Sequence, residues 1–408
     1  MTLRSAYLLV LFLFSSQLLS AQGAWNLKPT YAGGARSSCI GFGVGQGAYV
    51  GLGIDSNSYK RSMYVFNLAN STWTQTQSLG GPTGTGLGRD VAASFVVGTK
   101  AYVVGGQGSN PFFDDTWEYD AGFDVWTQKA NFTPGGRRSA VGFAINTKGY
   151  VCTGQDMNYV LKNDCWEYDP AANTWAMKAN FTGTPRRLAV AFVINGRAYV
   201  GSGDDGVFKG DFYEYTPSSN TWAAKANFSG TPRYGATGFA IGNLGYMGCG
   251  YDNTLSNRKD FWQYDPGTNM WTQINNFGGS ARANAAGFSI GTKGYLACGY
   301  DSNVMLSDFW EFDPSYVGIT EQDGNAVHVR AYPNPATDRI TFSLDEKMPY
   351  GNSLRLVLLD MNGRIVREIK NISQDNFTVD REGLASGTYL YLLASGEREL
   401  ASGKMIWH

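Results

Sequence analysis

The chain has 408 residues, a formal net charge of −1 and 16% charged residues. That length leaves room for more than one domain, and that charge excludes an electrostatic footprint for nucleic acid or an anionic membrane. With 52 Gly, 11 Trp, 24 Tyr and 23 Phe, the composition suits many short strands joined by tight turns, not helices.

The first residues read as a secretory signal peptide spanning residues 1–21. Arg4 precedes an apolar run from Ala6 to Phe14, then a polar-to-small stretch ending at Ala21, after which cleavage is expected. The run is too short for a bilayer, which needs about 20 residues, and no later stretch approaches that length, so no membrane span is expected.

An internal repeat follows. Trp25, Trp73, Trp126, Trp175, Trp222 and Trp271 stand 47 to 53 residues apart. Each is followed by an Arg: Arg36, Arg89, Arg137, Arg186, Arg233 and Arg282. From each Arg the register is rigid. Phe lies 6 residues on (Phe42, Phe95, Phe143, Phe192, Phe239, Phe288), Tyr a further 7, and Gly a further 4 (Gly53, Gly106, Gly154, Gly203, Gly250, Gly299). A variable interval then leads to Tyr64, Trp117, Trp166, Tyr213, Trp262 or Trp310, and 9 residues later the next Trp restarts the cycle, except that position 319 is Ile.

Each unit reads as four strands, as Ala140–Ile145, Gly149–Thr153, Trp166-Glu167-Tyr168 and Asn173–Ala176 illustrate. Four-stranded sheets repeated radially make a propeller, which leaves only short, protected edges. Trp25 is an outer strand without its own blade, and Trp310 has no Trp nine residues later. The N-terminal strand is therefore expected to complete the last of six blades. The phased pattern, with Asp115-Thr116-Trp117-Glu118-Tyr119-Asp120 and Asp164-Cys165-Trp166-Glu167-Tyr168-Asp169 as its fullest copies, resembles kelch repeats. The Gly-Gly pair typical of that family stands only at Gly105-Gly106.

After Pro314 the period stops. Residues 315–325 read as a linker and residues 326–408 as a second domain of short strands, among them Val327–Tyr332, Arg339–Leu344, Ser353–Asp360, Arg364–Ile369, Asn376–Val379 and Gly387–Ala394. That density of strands suits a small Ig-like β-sandwich. The strings Tyr332-Pro333-Asn334-Pro335-Ala336-Thr337-Asp338, Leu359-Asp360-Met361-Asn362-Gly363-Arg364 and Gly383-Leu384-Ala385-Ser386-Gly387-Thr388-Tyr389 resemble the type A sorting domain of the type IX secretion system. The resemblance implies export machinery as a partner, and a secreted protein or one held at the outer-membrane surface of a Gram-negative bacterium. The expected fold class is thus all-β, a six-bladed kelch-type propeller over residues 22–314 followed by the sandwich.

Chemistry is sparse. His occurs only at His328 and His408, outside the repeats, which argues against copper ligation and His-based triads. No catalytic residue, metal site or cofactor is expected. The intervals after the repeat Gly and those before the repeat Arg share one face. Variable loops on a constant scaffold are how binding surfaces are built, and these carry Tyr59, Phe112, Tyr159, Phe208, Tyr251 and Tyr300. Such aromatics either stack on sugar rings or merely cover the blade tops. The six repeat Arg form a ring near the channel mouth, and Asp55, Asp156, Asp205, Asp252 and Asp301 lie two residues after the repeat Gly. Salt bridging between these rings is the scaffold reading; an anion-binding mouth is the functional one. The Asp-x-Asn strings Asp55–Asn57, Asp156–Asn158 and Asp301–Asn303 fit Asx turns or calcium ligation. Of the five Cys, Cys39 stands where the other repeats have Ala, and Cys152 and Cys165 could face each other across a hairpin. Together these features point to a non-enzymatic binding protein for a glycan or an extracellular protein. The rival is a carbohydrate-active kelch enzyme such as a sialic acid mutarotase, which requires a lone perturbed acid at the mouth.

Overall fold

The computed structural model describes residues 23–84, 87–109, 112–315, 329–344, 354–360, 364–395 and 398–408. The expected signal peptide and most of the expected linker lie outside these residues. Two compact units result, Gln22–Tyr316 and the segment from Val317 to the C-terminus.

The first unit is a closed ring of six four-stranded antiparallel sheets. Blade one comprises Ile40–Val44, Gly47–Gly51, Met63–Asn67 and Thr72–Thr76, and blades two to five repeat this order. In blade six, Ala286–Ile290, Lys293–Ala297 and Phe309–Asp313 are completed by the N-terminal strand Ala24–Lys28, which pairs Trp25 with Phe312. The first strands pack against one another around the axis, blade six against blade one included.

The repeated residues explain this architecture physically. The Phe and Tyr six and thirteen residues after each Arg face each other across the inner hairpin, as in Phe143↔Tyr150, with centroids 5.2 Å apart. The outer-strand Trp packs edge-on between blades. Trp271, for example, meets Phe212, Phe228 and Tyr264 at 5.0–5.1 Å. Its indole N–H also donates to Ala226 O of the preceding blade at 3.2 Å, and Trp73, Trp126, Trp175 and Trp222 repeat this tie. Each buried aromatic removes about 150–250 Å² from water, so much of the inter-blade cohesion is carried by one residue type at one register.

Two rings of backbone hydrogen bonds encircle the channel. The repeat Gly N–H donates to the repeat Arg carbonyl of the next blade, from Gly53→Arg89 (2.8 Å) round to Gly299→Arg36 (3.0 Å). Two residues after each Arg, a second ring runs the other way: Ser38 N–H to Asn284 O, then Asn284→Gly235, Gly235→Leu188, Leu188→Ser139, Ser139→Val91 and Val91→Ser38. At Gly106, with φ +100°, a Cβ would come within 2.8 Å of Asp90 O. The close approach of the segment that leads into the first strand of the same blade demands glycine there.

The second unit is a small sandwich. A three-stranded sheet (Val329–Tyr332, Arg339–Leu344, Asn376–Asp380) faces a four-stranded one (Leu354–Leu359, Ile365–Ile372, Gly387–Ser395, Arg398–Trp407) over Phe342, Leu356, Tyr391, Leu393, Met405 and Trp407. The Pro-Asn-Pro string has a structural purpose. Asn334 donates to Lys404 O (2.7 Å) and accepts from Ile406 N–H (2.8 Å), tying the start of the domain to its last strand.

Candidate functional site

The antiparallel order puts the loops before the first strand and those between the second and third strands on one face, as the sequence suggests. Ile40 pairs with Gly51 and Met63 with Thr76 at that end of blade one.

The six repeat Arg lie under this face. Each is at most 3% exposed, and each guanidinium is held within its own blade. The expected Asp partners are not the ones used. Arg89, Arg137, Arg186, Arg233 and Arg282 instead make bidentate pairs with Asp115, Asp164, Asp211, Asp260 and Asp308, the residues that open the third strands. Four of these carboxylates also accept the indole N–H of the Trp two residues on, as Asp260 does from Trp262 at 2.8 Å. This is the physical content of the Asp-x-Trp string. In blade one Ser62 replaces the Asp, and Arg36 bonds to Ser62 Oγ and the carbonyls of Leu52 and Gly33. The Asp residues two after the repeat Gly close Asx turns, for example Asn57 N–H to Asp55 (2.9 Å) and Asn303 N–H to Asp301 (3.0 Å). Asp55, Asp156 and Asp205 also pair with Lys60, Lys162 and Lys209. Two residues is enough chain to turn each carboxylate back onto its own loop, away from the Arg.

The residue immediately after each repeat Arg stands one position before the channel lining: Ser37, Asp90, Arg138, Arg187, Tyr234 and Ala283. Each pairs with the residue after the repeat Gly: Ile54, Gln107, Gln155, Asp204, Tyr251 and Tyr300. This ring breaks the repeat symmetry, and sequence reasoning passed over it. Its signal was residue variation within a constant register.

Blades two to five carry the polar part. Arg138 reaches both ways, to Gln107 Oε1 and, through Nε, to Gln155 Oε1 at 2.9 Å. It also stacks on Phe112 (4.6 Å) and Tyr159 (5.4 Å). Burial and the neighbouring Arg187 both push its pKa down. Arg187 is anchored to Asp204 at 3.0 Å through Nε and keeps about a third of its side chain exposed. Asp90 is half-buried; burial pushes its pKa up to about 6 against the opposing pull of Arg138, and its Oδ1 has no partner among the described residues. Tyr59 stands in the field of Asp90 and receives Gln107 Nε2 on its hydroxyl at 3.1 Å.

The loop aromatics divide. Phe112 is 8% exposed, sealed beneath Arg138 and Tyr159, whereas Tyr159 is 65% exposed. Phe208 and Tyr251 pack with Tyr234 at 5.0 and 5.7 Å and with each other at 6.2 Å, and Tyr300 is exposed with its hydroxyl on Ser302 O. Beside Tyr59, a hydroxyl-rich groove of about 430 Å³ is lined by Ser58, Lys60, Arg61, Ser62, Ser78, Gly88 and Ser109. Below the mouth, a channel void of about 130 Å³ is lined by small residues from all six blades.

Closed ring, six-fold repeat chemistry and the Asp-x-Trp–Arg lock together define a kelch propeller. The KLHDC2/KLHL20/DRC7 kelch-repeats domain family matches residues 34–203, and the secretion system C-terminal sorting domain family matches residues 330–407. The chain thus carries a kelch-repeat domain, and its final segment is a type IX sorting domain that directs export. Among solved structures it is similar to one titled "Structure of YjhT", with a TM-score of 0.60 and 17% identity over 69% of this chain and 95% of that one. That likeness concerns the fold. A search of curated proteins found no match.

Proposed function

We propose that the exported propeller is a binding protein for an acidic glycan, held across the loop face at the mouth of blades two to five. The observation that carries this reading is the broken symmetry after the repeat Arg. Scaffold residues obey a repeat, whereas a ligand site has no reason to. Arg187, held at both Nε and Nη2 by Asp204 yet partly exposed, presents its remaining terminal nitrogen to a carboxylate or sulfate. Exposed Tyr159 offers a face on which a pyranose stacks, and the groove beside Tyr59 extends the surface for further sugar units.

The test is an array of neutral, carboxylated and sulfated glycans probed with the secreted chain. Retention of acidic members, weakened at least about tenfold by Arg187→Met, supports the reading. Binding that ignores Arg187, or a blank array, sinks it and moves the search to extracellular protein partners.

A second reading has its own support in Asp90. A half-buried carboxyl titrating near neutrality, with one oxygen unpartnered, has the properties of an acid–base group. That favours a carbohydrate-active enzyme of the mutarotase kind, exchanging a proton with a sugar hydroxyl. Anomeric interconversion followed by NMR on the bound glycan, abolished by Asp90→Asn with binding intact, separates turnover from binding.

A further inference from the structure

The propeller carries three cysteines outside the Cys152–Cys165 disulfide: Cys39, Cys249 and Cys298. Two of them break the repeat at one place. Cys39 holds the position three after the repeat Arg, where the other blades have Ala92, Ala140, Ala189, Ala236 and Ala285. Cys298 immediately precedes the repeat Gly, where the others have Leu52, Gly105, Thr153, Ser202 and Cys249. The ring sets these positions against each other across each blade boundary: Ala92 packs with Leu52, and Ala285 with Cys249. Only between blades six and one do both members of such a pair carry sulfur.

The chain runs from the N-terminal strand straight into blade one, so the break in the ring lies within blade six, where that strand pairs with Phe309–Asp313, and a link from blade one to the inner hairpin of blade six would bridge it. The break is held by the N-terminal strand on blade six, by Gly299 N–H to Arg36 O (3.0 Å) and by Ser38 N–H to Asn284 O (2.9 Å). Cys298 is fully buried in the cluster of Tyr31, Val50, Tyr295 and Phe309, and Cys39 packs against that cluster. Cys39 also borders the channel void and directs its Sγ at Leu52 O (3.7 Å), and burial together with the neighbouring Cys39 pushes the Cys298 thiol up.

We propose that Cys39 and Cys298 form a second disulfide in the exported protein, converting the non-covalent closure into a covalent one. The oxidant is the disulfide of a thiol oxidase of the exporting compartment, acting before the ring seals. The Cys39 thiolate attacks one of its sulfurs, forming a mixed disulfide and expelling a thiolate. Cys298 then attacks the Cys39 sulfur and releases the second thiolate. The pair loses two protons and two electrons, and the oxidant's disulfide becomes a dithiol. Once closed, the bond is shielded by the core, as resistance to reduction requires. Cys249 faces Ala285 and has no such partner in that cluster; burial pushes its thiol up to about 12, which keeps it unreactive.

The test uses the full chain recovered from the medium, denatured without reductant, alkylated and digested. One alkylated cysteine, Cys249, and a linked peptide joining Cys39 to Cys298 are expected. Alkylation of Cys39, Cys249 and Cys298 together overturns the proposal. Cys39→Ala, which installs the residue of the other five blades, is expected to expose Cys298 to alkylation and leave Cys152–Cys165 intact. It should also lower the thermal midpoint by about 5–10 °C, because it releases a loop spanning most of the propeller. An unchanged midpoint in a variant that secretes normally also counts against the bond.

Discussion

Blade six offers a direct trial of the Arg–Asp lock, because two Asp residues compete there for the same assignment. Arg282 is completely buried and its donors are all engaged: Nε on Ser280 O, one terminal nitrogen on Cys298 O and Asp308 Oδ1, the other on Ser280 Oγ and Asp308 Oδ2 (2.7 Å). Asp308→Ala removes both charge-assisted bonds and the acceptor of the Trp310 indole at 2.7 Å. At about 1.5–3 kcal/mol per charge-assisted bond, the loss spans about 3–6 kcal/mol. Asp308 is roughly a quarter exposed, so water entering the gap solvates part of the stranded charge. We expect about 3–4 kcal/mol, near the low end for breaking a buried ion pair. For a domain of this size each kcal/mol moves the midpoint by about 2–4 °C, a fall of about 6–16 °C by calorimetry. Asp301→Ala, which removes only an Asx turn closed by Asn303 and Val304 N–H, should cost under about 1 kcal/mol. Equal losses for the two variants, or a loss below about 1 kcal/mol for Asp308→Ala, would refute the partner assignment.

Other expectations are narrower. Asp90 has a folded pKa near 6, above its unfolded value near 4, so the folded state binds the extra proton and stability falls as pH rises between those values. Asp90→Asn should therefore stabilise by roughly 1–2 kcal/mol at pH 7 and by nothing at pH 3.5, read from urea midpoints; a pH-independent effect contradicts the assignment. Trp25→Ala removes the ring that meets Phe261, Phe277 and Phe312 within 4.9–5.0 Å, and should cost about 3–5 kcal/mol by opening the seam before any other blade. Gly106→Ala, forced to φ +100° with its Cβ 2.8 Å from Asp90 O, should cost about 1–3 kcal/mol and disturb ligand binding through Asp90. Wild-type stability there would mean the Asp90 segment can shift away from Gly106 at no cost.

The scaffold was legible because each of its contacts is written six times. The Trp, Arg, Phe, Tyr and Gly registers each report a packing or hydrogen-bonding need, and their phase with the chain ends revealed that the N-terminal strand completes blade six. Reading the Arg partners failed for a definable reason. Both Asp positions recur in five of six blades, and spacing alone does not say which carboxylate turns back to cap its own loop. Asp156 and Asp252 even stand opposite Arg137 and Arg233 in register, yet it is Asp308 and its equivalents whose carboxylates receive the guanidinium. The mouth residues Asp90, Arg138, Arg187 and Tyr234 escaped notice for the opposite reason. They share a register but no chemistry, so a search for what repeats discards them, and their meeting depends on the ring bringing blades two to five together.

The inner ring of hydrogen bonds from Ser38 round to Val91 is a loop without ends, each residue donating its N–H to one neighbour and accepting at its carbonyl from the other. The circle has a fixed circumference. Adding or deleting one repeat would change the angle at every link at once, with no single link able to absorb the difference. Gene duplication can readily supply a seventh copy of the unit, but this hoop measures blade number as a gauge measures a shaft. A change of repeat count would therefore disturb every link at once, whereas a side chain that rims the mouth is replaced without touching the hoop.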